Sequence, residues 1–529
     1  MKSFLFLSLF IINCSFTIST KVYEETVTYV GAVMEYEPYK VWTEEEKGYG
    51  VIRKNVEAVS EAARIAKLQQ ADILVAPEGG LSGSMENPGN LTWLLTYSTF
   101  VPNPWDSVVP CNISESNPNI EALKILSCTA IEESIYIVVN LAEAHPCSAE
   151  TIASAPWSEY NTYETSDNCP DGGFYIHNTE IVFDRTGVII ARYRKIHLFG
   201  ESFFTPGSVN DTSAIFVTDF NVPFSLQICF DIAFEDPAYN NIKNRGIKDV
   251  ITSTSWVDYM PFNTADFTQN AWSRGLKANL LISGYHWPEK AKLGSGIYRY
   301  LFDEPPVYIY DKDSGNVLLV AEVKTTIETT KLPNVSRFQK EPTKKIEDKI
   351  ISLNSELEER VHFVLHESLA DYSSVTLESG DVGEVLTADV CNADNFCCNL
   401  TYQYSGNLTY KLLALKGQFV VGDAYYIGAQ NCAILWCEGD NINSCGLIER
   451  QGVTDEFGPF NLSSSSFTID SIYPAGGHRD LTLISNEVLH YTIEGGTYSV
   501  SADQPVTDLF ITFLFGRWYA NDGNSAEKI

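Results

Sequence analysis

Positively charged residues are scarce in this chain of 529 residues. Lys and Arg together number 36 against 68 Asp and Glu, which gives a formal net charge of -32 at pH 7. Nucleic acids and anionic lipid surfaces attract basic proteins, because binding neutralises their phosphate charges. The composition therefore argues against a nucleic-acid-binding protein and against attachment to an anionic membrane.

Long hydrophobic runs are missing after the N-terminal segment. The chain opens with MKSFLFLSLFIINCSFTIST, in which Lys2 precedes a short apolar run from Phe4 to Ile12. Such a run is too short to cross a hydrocarbon layer of about 30 Å, and its pattern is typical of a signal peptide. The C-terminal segment GRWYANDGNSAEKI lacks the hydrophobic tail of a glycolipid anchor signal. We therefore expect a secreted, extracellular protein without membrane insertion.

Several common catalytic and metal-binding motifs are also absent. The sequence contains no G-x-S-x-G, no H-E-x-x-H and no C-x-x-C. These motifs mark serine hydrolases of one large fold, zinc peptidases and thiol redox sites respectively. If the chain is an enzyme, its nucleophile must come from elsewhere.

Twelve cysteines are present, and Cys14 leaves with the signal peptide. Eleven is an odd number, so one cysteine cannot form a disulfide within the chain. If the cysteines of each half pair among themselves, Cys229 is left over, either as a reactive thiol or as an inert thiol in the core. The two clusters are Cys111, Cys128, Cys147 and Cys169 in the first half, and Cys391, Cys397, Cys398, Cys432, Cys437 and Cys445 in the second.

Asn-x-Ser/Thr sequons support export, because they are the acceptors of N-linked glycans on secreted chains. The candidate glycosylation sites are Asn90, Asn112, Asn210, Asn334, Asn399, Asn407 and Asn461.

Strand-like and helix-like segments alternate from Thr26 to about Val320. TVTYVGAVMEY predicts a strand, VIRKNVEAVSEAARIAKLQQ predicts a helix, and TEIVFDRTGVIIARYRKIHLF predicts a hairpin. This alternation predicts an α/β layered domain whose central strands are covered on both faces.

A change in composition predicts a second domain. Residues 1–20 are the predicted signal peptide, 21–323 the catalytic domain, and 324–349 a linker rich in Lys, Glu, Thr and Pro. Segments such as LTYKLLALKG and DLFITFLFGRWY then read as strands. Residues 350–529 are therefore predicted to form a β-rich, disulfide-stapled domain.

Three residues of catalytic type lie where predicted strands end: Glu78 in ILVAPEGGLSG, Lys195 in ARYRKIHLFGE and Cys229 in LQICFDIAFEDP. Open α/β sheets bind ligands beyond the carboxyl ends of their strands. A thiol that attacks an amide needs a base, positive charge for the oxyanion and an acid for the leaving amine, which Glu78 and Lys195 could supply. A nearby ammonium would also favour the thiolate of Cys229.

Each of the three has an alternative interpretation without catalysis. Glu78 could be an ordinary loop carboxylate, Lys195 could belong to a solvated basic face, and Cys229 could be a buried core thiol. Individually these signals are weak, and only their combination points to chemistry.

Together the motifs resemble the nitrilase superfamily of carbon–nitrogen hydrolases, and in detail its secreted vanin and biotinidase branch. The matching stretches are APEGGLSG, VPNPWDSVVPCN, YNTYETSDNCPDGGFYIHNTEIVFD, YRKIHLF, ICFDIAFEDPA, SWVDYMP and GSGIY. The resemblance implies an αββα sandwich in which Glu78 is the base, Lys195 stabilises the oxyanion and Cys229 is the nucleophile. It also implies a β-rich base domain at the C-terminus. No metal and no cofactor is expected, because the triad itself supplies the chemistry.

The resemblance implies hydrolysis of a small-molecule amide, with pantetheine as the first choice. Two alternatives stay open: a biotinidase-like hydrolase of biotinyl amides, and a catalytically silent binding glycoprotein on the same scaffold. The chain departs from the family at Gly79, at Ser255 and at Gly284, positions expected to border the pocket. Aromatic and donor groups suited to the acyl chain are expected from Trp256, Tyr285, His286 and Trp287.

Overall fold

The computed structural model describes residues 24–83, 89–160, 162–209, 214–328, 346–353, 359–422, 425–447, 455–469 and 471–523. The predicted signal peptide lies outside these ranges, as do the sequons at Asn210 and Asn334 and the greater part of the predicted linker.

The first region is built from alternating strands and helices. Its strands and helices in chain order are β1 (Glu24–Glu35), α1 (Lys47–Leu68), β2 (Ile73–Val75), α2 (Leu91–Thr96), β3 (Ser98–Thr99), α3 (Glu121–Glu133), β4 (Tyr136–Pro146), α4 (Ala149–Ser154), β5 (Phe174–Phe183), β6 (Ile189–Arg194), β7 (Ile215–Val217), β8 (Pro223–Ile228), α5 (Asn240–Arg245), β9 (Asp249–Ser253), β10 (Tyr259–Met260), α6 (Ala265–Leu276), β11 (Asn279–Ser283), β12 (Ser295–Arg299), β13 (Glu304–Ile309), β14 (Val317–Glu328) and β15 (Lys349–Ser352).

Two sheets pack face to face in this region. The first has the order β15-β14-β1-β2-β4-β5-β6, with β3 paired to β4, and the second has the order β13-β12-β11-β9-β8-β7. Side chains on β1 alternate between two cores, because successive residues of a strand point to opposite faces. Tyr29 and Val33 face the second sheet, whereas Val30, Ala32 and Met34 pack under α1 and α3.

Helices cover the outer face of each sheet. Helices α1 and α3 pack on the first sheet, while α5 and α6 pack on the second. In α5, the Asn241 side chain donates to the Ser225 hydroxyl of β8 over 2.8 Å. The result is the four-layered αββα sandwich that the motifs implied.

The second region is a β-sandwich. Its strands are β16 (Leu365–His366), β17 (Ser373–Thr376), β18 (Leu386–Cys391), β19 (Cys397–Tyr402), β20 (Thr409–Val421), β21 (Tyr425–Cys437), β22 (Glu456–Phe457), β23 (Phe460–Ser464), β24 (Ser471–His478), β25 (His490–Glu494), β26 (Thr497–Ala502), β27 (Val506–Thr507) and β28 (Leu509–Arg517). One sheet has the order β17-β20-β21-β28-β24 and the other β18-β19-β23-β26-β25, while β22 pairs with β27. On β19, buried Cys398, Leu400 and Tyr402 alternate with exposed Asn399 and Thr401, as expected for a half-covered strand.

The two regions share strands near the predicted linker. Strand β14 continues to Glu328, past the predicted start of the linker at Lys324, and β15 returns to pair with it. Strand β16 then pairs with β10 of the first region before the chain enters the sandwich at β17. The first sheet therefore includes residues on both sides of the predicted linker.

The disulfides pair within each half of the chain, as expected. The bridges are Cys111–Cys128, Cys147–Cys169, Cys391–Cys397, Cys398–Cys432 and Cys437–Cys445, and Cys229 is free.

The described sequon asparagines are all exposed: Asn90, Asn112, Asn399, Asn407 and Asn461. None of the helices among the described residues combines the length and the apolar character that a bilayer crossing requires.

Candidate active site

Glu78, Lys195 and Cys229 line one cavity of about 250 Å³. Glu78 follows β2 and Lys195 follows β6 of the first sheet, whereas Cys229 follows β8 of the second. The cavity therefore lies at strand ends of two packed sheets, and the three side chains meet although the first and the last are 151 positions apart in the chain.

The buried carboxylate of Asp231 stabilises the turn that carries Cys229. Cys229 has a φ of 46°, in the left-handed region, and begins a short 3-10 turn, Cys229–Ala233. One oxygen of Asp231 accepts hydrogen bonds from the Ile228 backbone N–H over 2.9 Å and from the Tyr193 hydroxyl over 2.7 Å. Side chains seldom adopt this φ without support from neighbouring contacts, and such strain is typical of functional sites.

Glu78 is buried and accepts three hydrogen bonds. Its Oε1 accepts from Lys195 Nζ over 2.7 Å and from Asn178 Nδ2 over 2.8 Å, and its Oε2 accepts from the Ser255 backbone N–H over 2.9 Å. Burial by itself would raise the pKa of Glu78, but the Lys195 ammonium and these hydrogen bonds outweigh burial and lower the pKa. Glu78 is therefore ionised at neutral pH.

Lys195 lies between two carboxylates. Its side chain is 1% exposed, and Nζ is 2.7 Å from Glu78 Oε1 and 2.7 Å from Glu201 Oε1. Burial alone would lower the pKa of Lys195, but Glu201, Glu78 and Cys229 together raise it well above its usual value. The alternative that Lys195 belongs to a solvated basic face is wrong.

The Cys229 thiol is protonated in the resting site. Burial, with the negative charge of Glu78 added to it, raises the pKa of Cys229 to about 12, while Lys195 lowers the pKa only in part. Lys195 does favour the thiolate of Cys229, as expected of a nearby ammonium, but burial and the Glu78 charge outweigh its effect. The ionised Glu78 carboxylate is thus close enough to the thiol to raise its pKa, whereas hydrogen bonds from Thr254 and from the Ser255 backbone act in the opposite direction.

Glu201 and two asparagines are site residues that the sequence patterns did not single out. Asn140 Nδ2 donates to Asn178 Oδ1 over 2.7 Å, and Asn178 in turn donates to Glu78. Asn140 Oδ1 accepts from the Gly79 backbone N–H over 2.6 Å. A signal for Glu201 was present, since a buried lysine needs compensating charge and Glu201 follows Lys195 by six residues.

The four predicted wall residues are placed differently from one another. Tyr285 lines the cavity, whereas Trp256, His286 and Trp287 are not among the described residues that line it. The Trp256 indole donates to the Asn263 carbonyl, His286 Nδ1 lies 2.9 Å from Glu35 Oε1, and the Trp287 ring lies under the Lys40 ammonium. A part for these three in substrate binding stays a prediction, and their observed contacts do not favour it.

Two of the three departures from the family pattern border the cavity. Gly79 and Ser255 line it, and a Cβ at Gly79 would lie 3.1 Å from the Tyr285 hydroxyl. Gly284 instead supports close backbone packing, because a Cβ there would lie 2.2 Å from the Gly294 carbonyl oxygen. Gly79 and Tyr285 therefore shape one side of the cavity.

Two family models match the two regions of the chain. The carbon–nitrogen hydrolase family model matches residues 32–269, and the vanin C-terminal domain model matches residues 361–522. Vanin-like protein 1 of Drosophila melanogaster is 31% identical over 513 residues, covering 92% of this chain and 82% of the fly protein. The chain belongs to the vanin branch of the carbon–nitrogen hydrolases.

This vanin-like hydrolase is also similar to mammalian proteins. Human pantetheinase is 28% identical over 523 residues, covering 96% of this chain and 90% of the human protein. Mouse pantetheinase is 29% identical over 495 residues, covering 89% of this chain and 84% of the mouse protein. Among solved structures, a double mutant of the amidase from Nesterenkonia sp. AN1 in complex with acrylamide has a TM-score of 0.37 at 16% identity, covering 59% of this chain and 94% of that chain. The vanin-like hydrolase is an enzyme that cleaves carbon–nitrogen bonds in amides.

Proposed function

We propose that this vanin-like hydrolase is a secreted enzyme that hydrolyses pantetheine to pantothenate and cysteamine. In this proposal Cys229 is the nucleophile, Glu78 the general base and acid, and Lys195 the cation that stabilises the oxyanion. The observation that carries the proposal is the convergence of these three buried side chains on one cavity.

Acylation begins with a neutral thiol and an ionised carboxylate. Cys229 Sγ attacks the amide carbonyl carbon while its proton passes to Glu78, so no free thiolate has to be stored in a buried site. The carbonyl oxygen becomes negative and is stabilised by the Lys195 ammonium and by the Phe230 backbone N–H at the start of the turn. Collapse of the intermediate breaks the C–N bond, and Glu78 returns the proton to the departing cysteamine nitrogen.

Deacylation reuses the same groups with water. Glu78, again a carboxylate, takes a proton from a water molecule that attacks the thioester carbonyl. The second tetrahedral intermediate is stabilised in the same place, and its collapse releases pantothenate. The proton held by Glu78 returns to Cys229 Sγ, which restores the starting state.

The preference for pantetheine is supported by the curated relatives. Human and mouse relatives that align over most of this chain carry the name pantetheinase. The cavity offers polar groups from Asn140, Asn178 and Tyr285 together with the rings of Phe199 and Phe204. A pantothenoyl chain presents hydroxyl, amide and methyl groups, so it matches a lining of this mixed character.

Secretion is supported by features from different parts of the chain. Five disulfides are typical of an oxidising compartment. The described sequon asparagines are all exposed, as glycan attachment requires. Expression in animal cells should deliver the protein to the medium, with a mass that falls on enzymatic removal of N-linked glycans.

Substrate identity is tested by assaying the purified glycoprotein on pantetheine and biocytin side by side. We expect release of cysteamine from pantetheine and little release of lysine from biocytin. Cleavage of biocytin alone would refute the proposed substrate and favour a biotinidase-like enzyme. Cleavage of neither, with Cys229 still alkylated by iodoacetamide, would mean that the pocket accepts another small amide, whereas an unreactive Cys229 would favour a silent scaffold.

A further inference from the structure

One wall of the catalytic cavity is a loop that the C-terminal sandwich contacts directly. Residues 199–204, here called the cavity loop, contribute Phe199, Gly200, Glu201, Phe203 and Phe204 to the cavity lining. The loop also carries the second carboxylate of Lys195, because Glu201 Oε1 is 2.7 Å from Lys195 Nζ. The position of the loop therefore affects the ion pairs on which the site depends.

Tyr425, at the start of β21 in the sandwich, holds this loop in two ways. Its hydroxyl oxygen accepts a hydrogen bond from the Gly200 backbone N–H over 2.5 Å. Its ring stacks on Phe199, with centroids 5.0 Å apart and an interplanar angle of 22°. The same ring meets Phe230, the residue after Cys229, edge to face at 4.9 Å. One side chain of the sandwich therefore touches both the cavity loop and the nucleophile turn.

The partner strand of the same hairpin is shaped for this contact. Gly422, just beyond the end of β20, has a φ of 62°, and a Cβ there would lie 2.9 Å from Phe199 Cζ. A side chain at this position would displace the Phe199 ring from Tyr425. The sandwich thus presents both a close backbone approach and a polar anchor to the cavity loop.

The contacts continue from the cavity loop to the reacting groups. Glu201 Oε2 accepts a hydrogen bond from the Phe199 backbone N–H, which ties the carboxylate to the segment that Tyr425 holds. Glu201 Oε1 accepts from Lys195 Nζ, and Lys195 Nζ also donates to Glu78 Oε1. A shift of the loop would therefore alter the charge balance around Lys195 and the orientation of Glu78.

We propose that Tyr425 is a positioning residue for amide hydrolysis, through which the C-terminal sandwich aligns the cavity loop with the catalytic groups. Tyr425 does not line the cavity among the described residues, so it acts through Phe199, Gly200 and Glu201. The inference rests on the proposed function of the same site. It assigns the sandwich a part in catalysis beyond that of a structural base.

The test replaces Tyr425 by Phe, which keeps the ring and removes the hydroxyl, and by Ala, which removes both. Tyr426 supplies the matched control, because it is the next residue on β21, is also half-buried, and points to the opposite face. For Tyr425→Phe we expect kcat on pantetheine to fall about 5-fold with KM unchanged, the size expected for loss of one hydrogen bond. For Tyr425→Ala we expect a fall of about 10- to 100-fold, the range expected when catalytic groups are misplaced.

A second readout needs no substrate. Iodoacetamide is itself a small amide, and its reaction with Cys229 at neutral pH depends on proton transfer to Glu78. We expect the alkylation rate to fall in the same order, wild type, Tyr425→Phe, Tyr425→Ala, while Tyr426→Phe and Tyr426→Ala match the wild type. Partial recovery in the Phe variant relative to the Ala variant would show that the ring and the hydroxyl both contribute.

Two results would overturn the inference. One is a Tyr425→Ala protein whose kcat and alkylation rate per folded molecule equal those of the wild type, even if its melting temperature is lower. If the Ala variant does not fold, unchanged kcat and alkylation in Tyr425→Phe would have the same meaning. Should the wild type cleave neither pantetheine nor biocytin, the substrate proposal fails, and the alkylation series still decides the role of Tyr425.

Discussion

The catalytic region and the C-terminal sandwich bury cysteine for opposite purposes. Cys398 of β19 is fully buried and bonded to Cys432 of β21, so this disulfide joins the two sheets of the sandwich. Cys229 is 7% exposed and has a free thiol beside Glu78 and Lys195. Burial of a thiol therefore indicates neither stability nor reactivity until its neighbours are known.

The catalytic site and the disulfide-linked core also differ in whether they bury charged side chains. The site holds an ammonium between two carboxylates, and each charge is compensated by the others. Removing one partner would leave a buried charge uncompensated, which is more costly than loss of an exposed ion pair. The core beside Cys398 contains uncharged side chains, for example Leu400, Asn431 and Ser464, so a substitution there changes packing and hydrogen bonds rather than leaving a buried charge uncompensated. Substitutions at the catalytic site should therefore mainly lower activity, whereas substitutions in the sandwich core should mainly lower stability.

The largest effect is expected for Cys229→Ser. A serine hydroxyl has nearly the volume of the thiol but far lower acidity and nucleophilicity, so turnover should be lost while the fold is kept. Cysteamine release and thermal unfolding measured on the same preparation test this. Hydrolysis at the wild-type rate would contradict the assignment of Cys229 as the nucleophile.

Glu78→Gln should lower kcat by about 100- to 10,000-fold, the range attributed to general acid–base catalysis. The variant should also change how alkylation of Cys229 depends on pH. In the wild type the pKa of Glu78 lies below its ordinary value of 4.5, so the alkylation rate should fall off only below that pH. The stability that the ionised carboxylate adds is complete above pH 4.5 and is lost as pH falls through the lowered pKa of the folded state. In the Glu78→Gln variant the alkylation rate should keep rising into the alkaline range, because Cys229 can no longer transfer its proton to Glu78.

Glu57→Gln is the control for that experiment, because Glu57 lies on the exposed face of α1. Its alkylation profile should overlay that of the wild type. An identical profile in Glu78→Gln would show that Glu78 does not receive the thiol proton.

Lys195→Met should reduce kcat by about 100- to 1,000-fold, since the alkyl stem is kept and the oxyanion-stabilising charge is lost. Lys54→Met, at an exposed position of α1, is the control and should retain full activity. Unfolding should be followed in parallel, because Glu78 and Glu201 would then face each other without a cation. If activity per folded molecule is preserved, Lys195 is a structural residue.

The smallest effect on activity is expected in the sandwich. Replacing both Cys398 and Cys432 by Ala removes a bridge with a sequence separation of 34, which should lower the free energy of unfolding by about 3 to 4 kcal/mol. Alkylation of Cys229 per folded molecule should stay near the wild-type rate. The Cys391–Cys397 bridge has a separation of only 6 and should cost less when removed. An equal loss in both double variants would show that loop length does not set these costs.

The order and type of the main elements could be read from the sequence. The mostly apolar run of β1, the period-two alternation of β19 and the helical spacing of α1 are local patterns that follow from which faces of each element are buried. The hairpin of β5 and β6 turns at Gly187, whose φ of 77° suits a glycine. Cysteine parity pointed to Cys229 as the free thiol, because pairing within each half leaves one residue over.

Local patterns did not predict the strand content of the linker. Residues 324–328 were expected to belong to a linker because of their polar composition, but they complete β14 as the partner of β1. An edge-proximal strand with one exposed face has few apolar residues, so composition alone does not distinguish it from a loop. Local patterns also did not separate the predicted wall residues: Tyr285 lines the cavity, whereas His286 contacts Glu35 and the Trp287 ring lies under the Lys40 ammonium.

By itself the sequence indicated the residue types of the chemistry, the family and the element order, and its odd number of cysteines after the signal peptide required one without a partner in the chain. Only the tertiary structure decided how the groups influence one another. The pKa of Cys229 is raised to about 12 because two sheets bury it beside Glu78, and Glu201 becomes part of the site because it shares Lys195 with Glu78. Proton affinity and orientation depend on distances across the fold, between residues such as Gly200 and Tyr425 that are 225 positions apart in the chain. Those distances are set by packing, which no local stretch of sequence encodes.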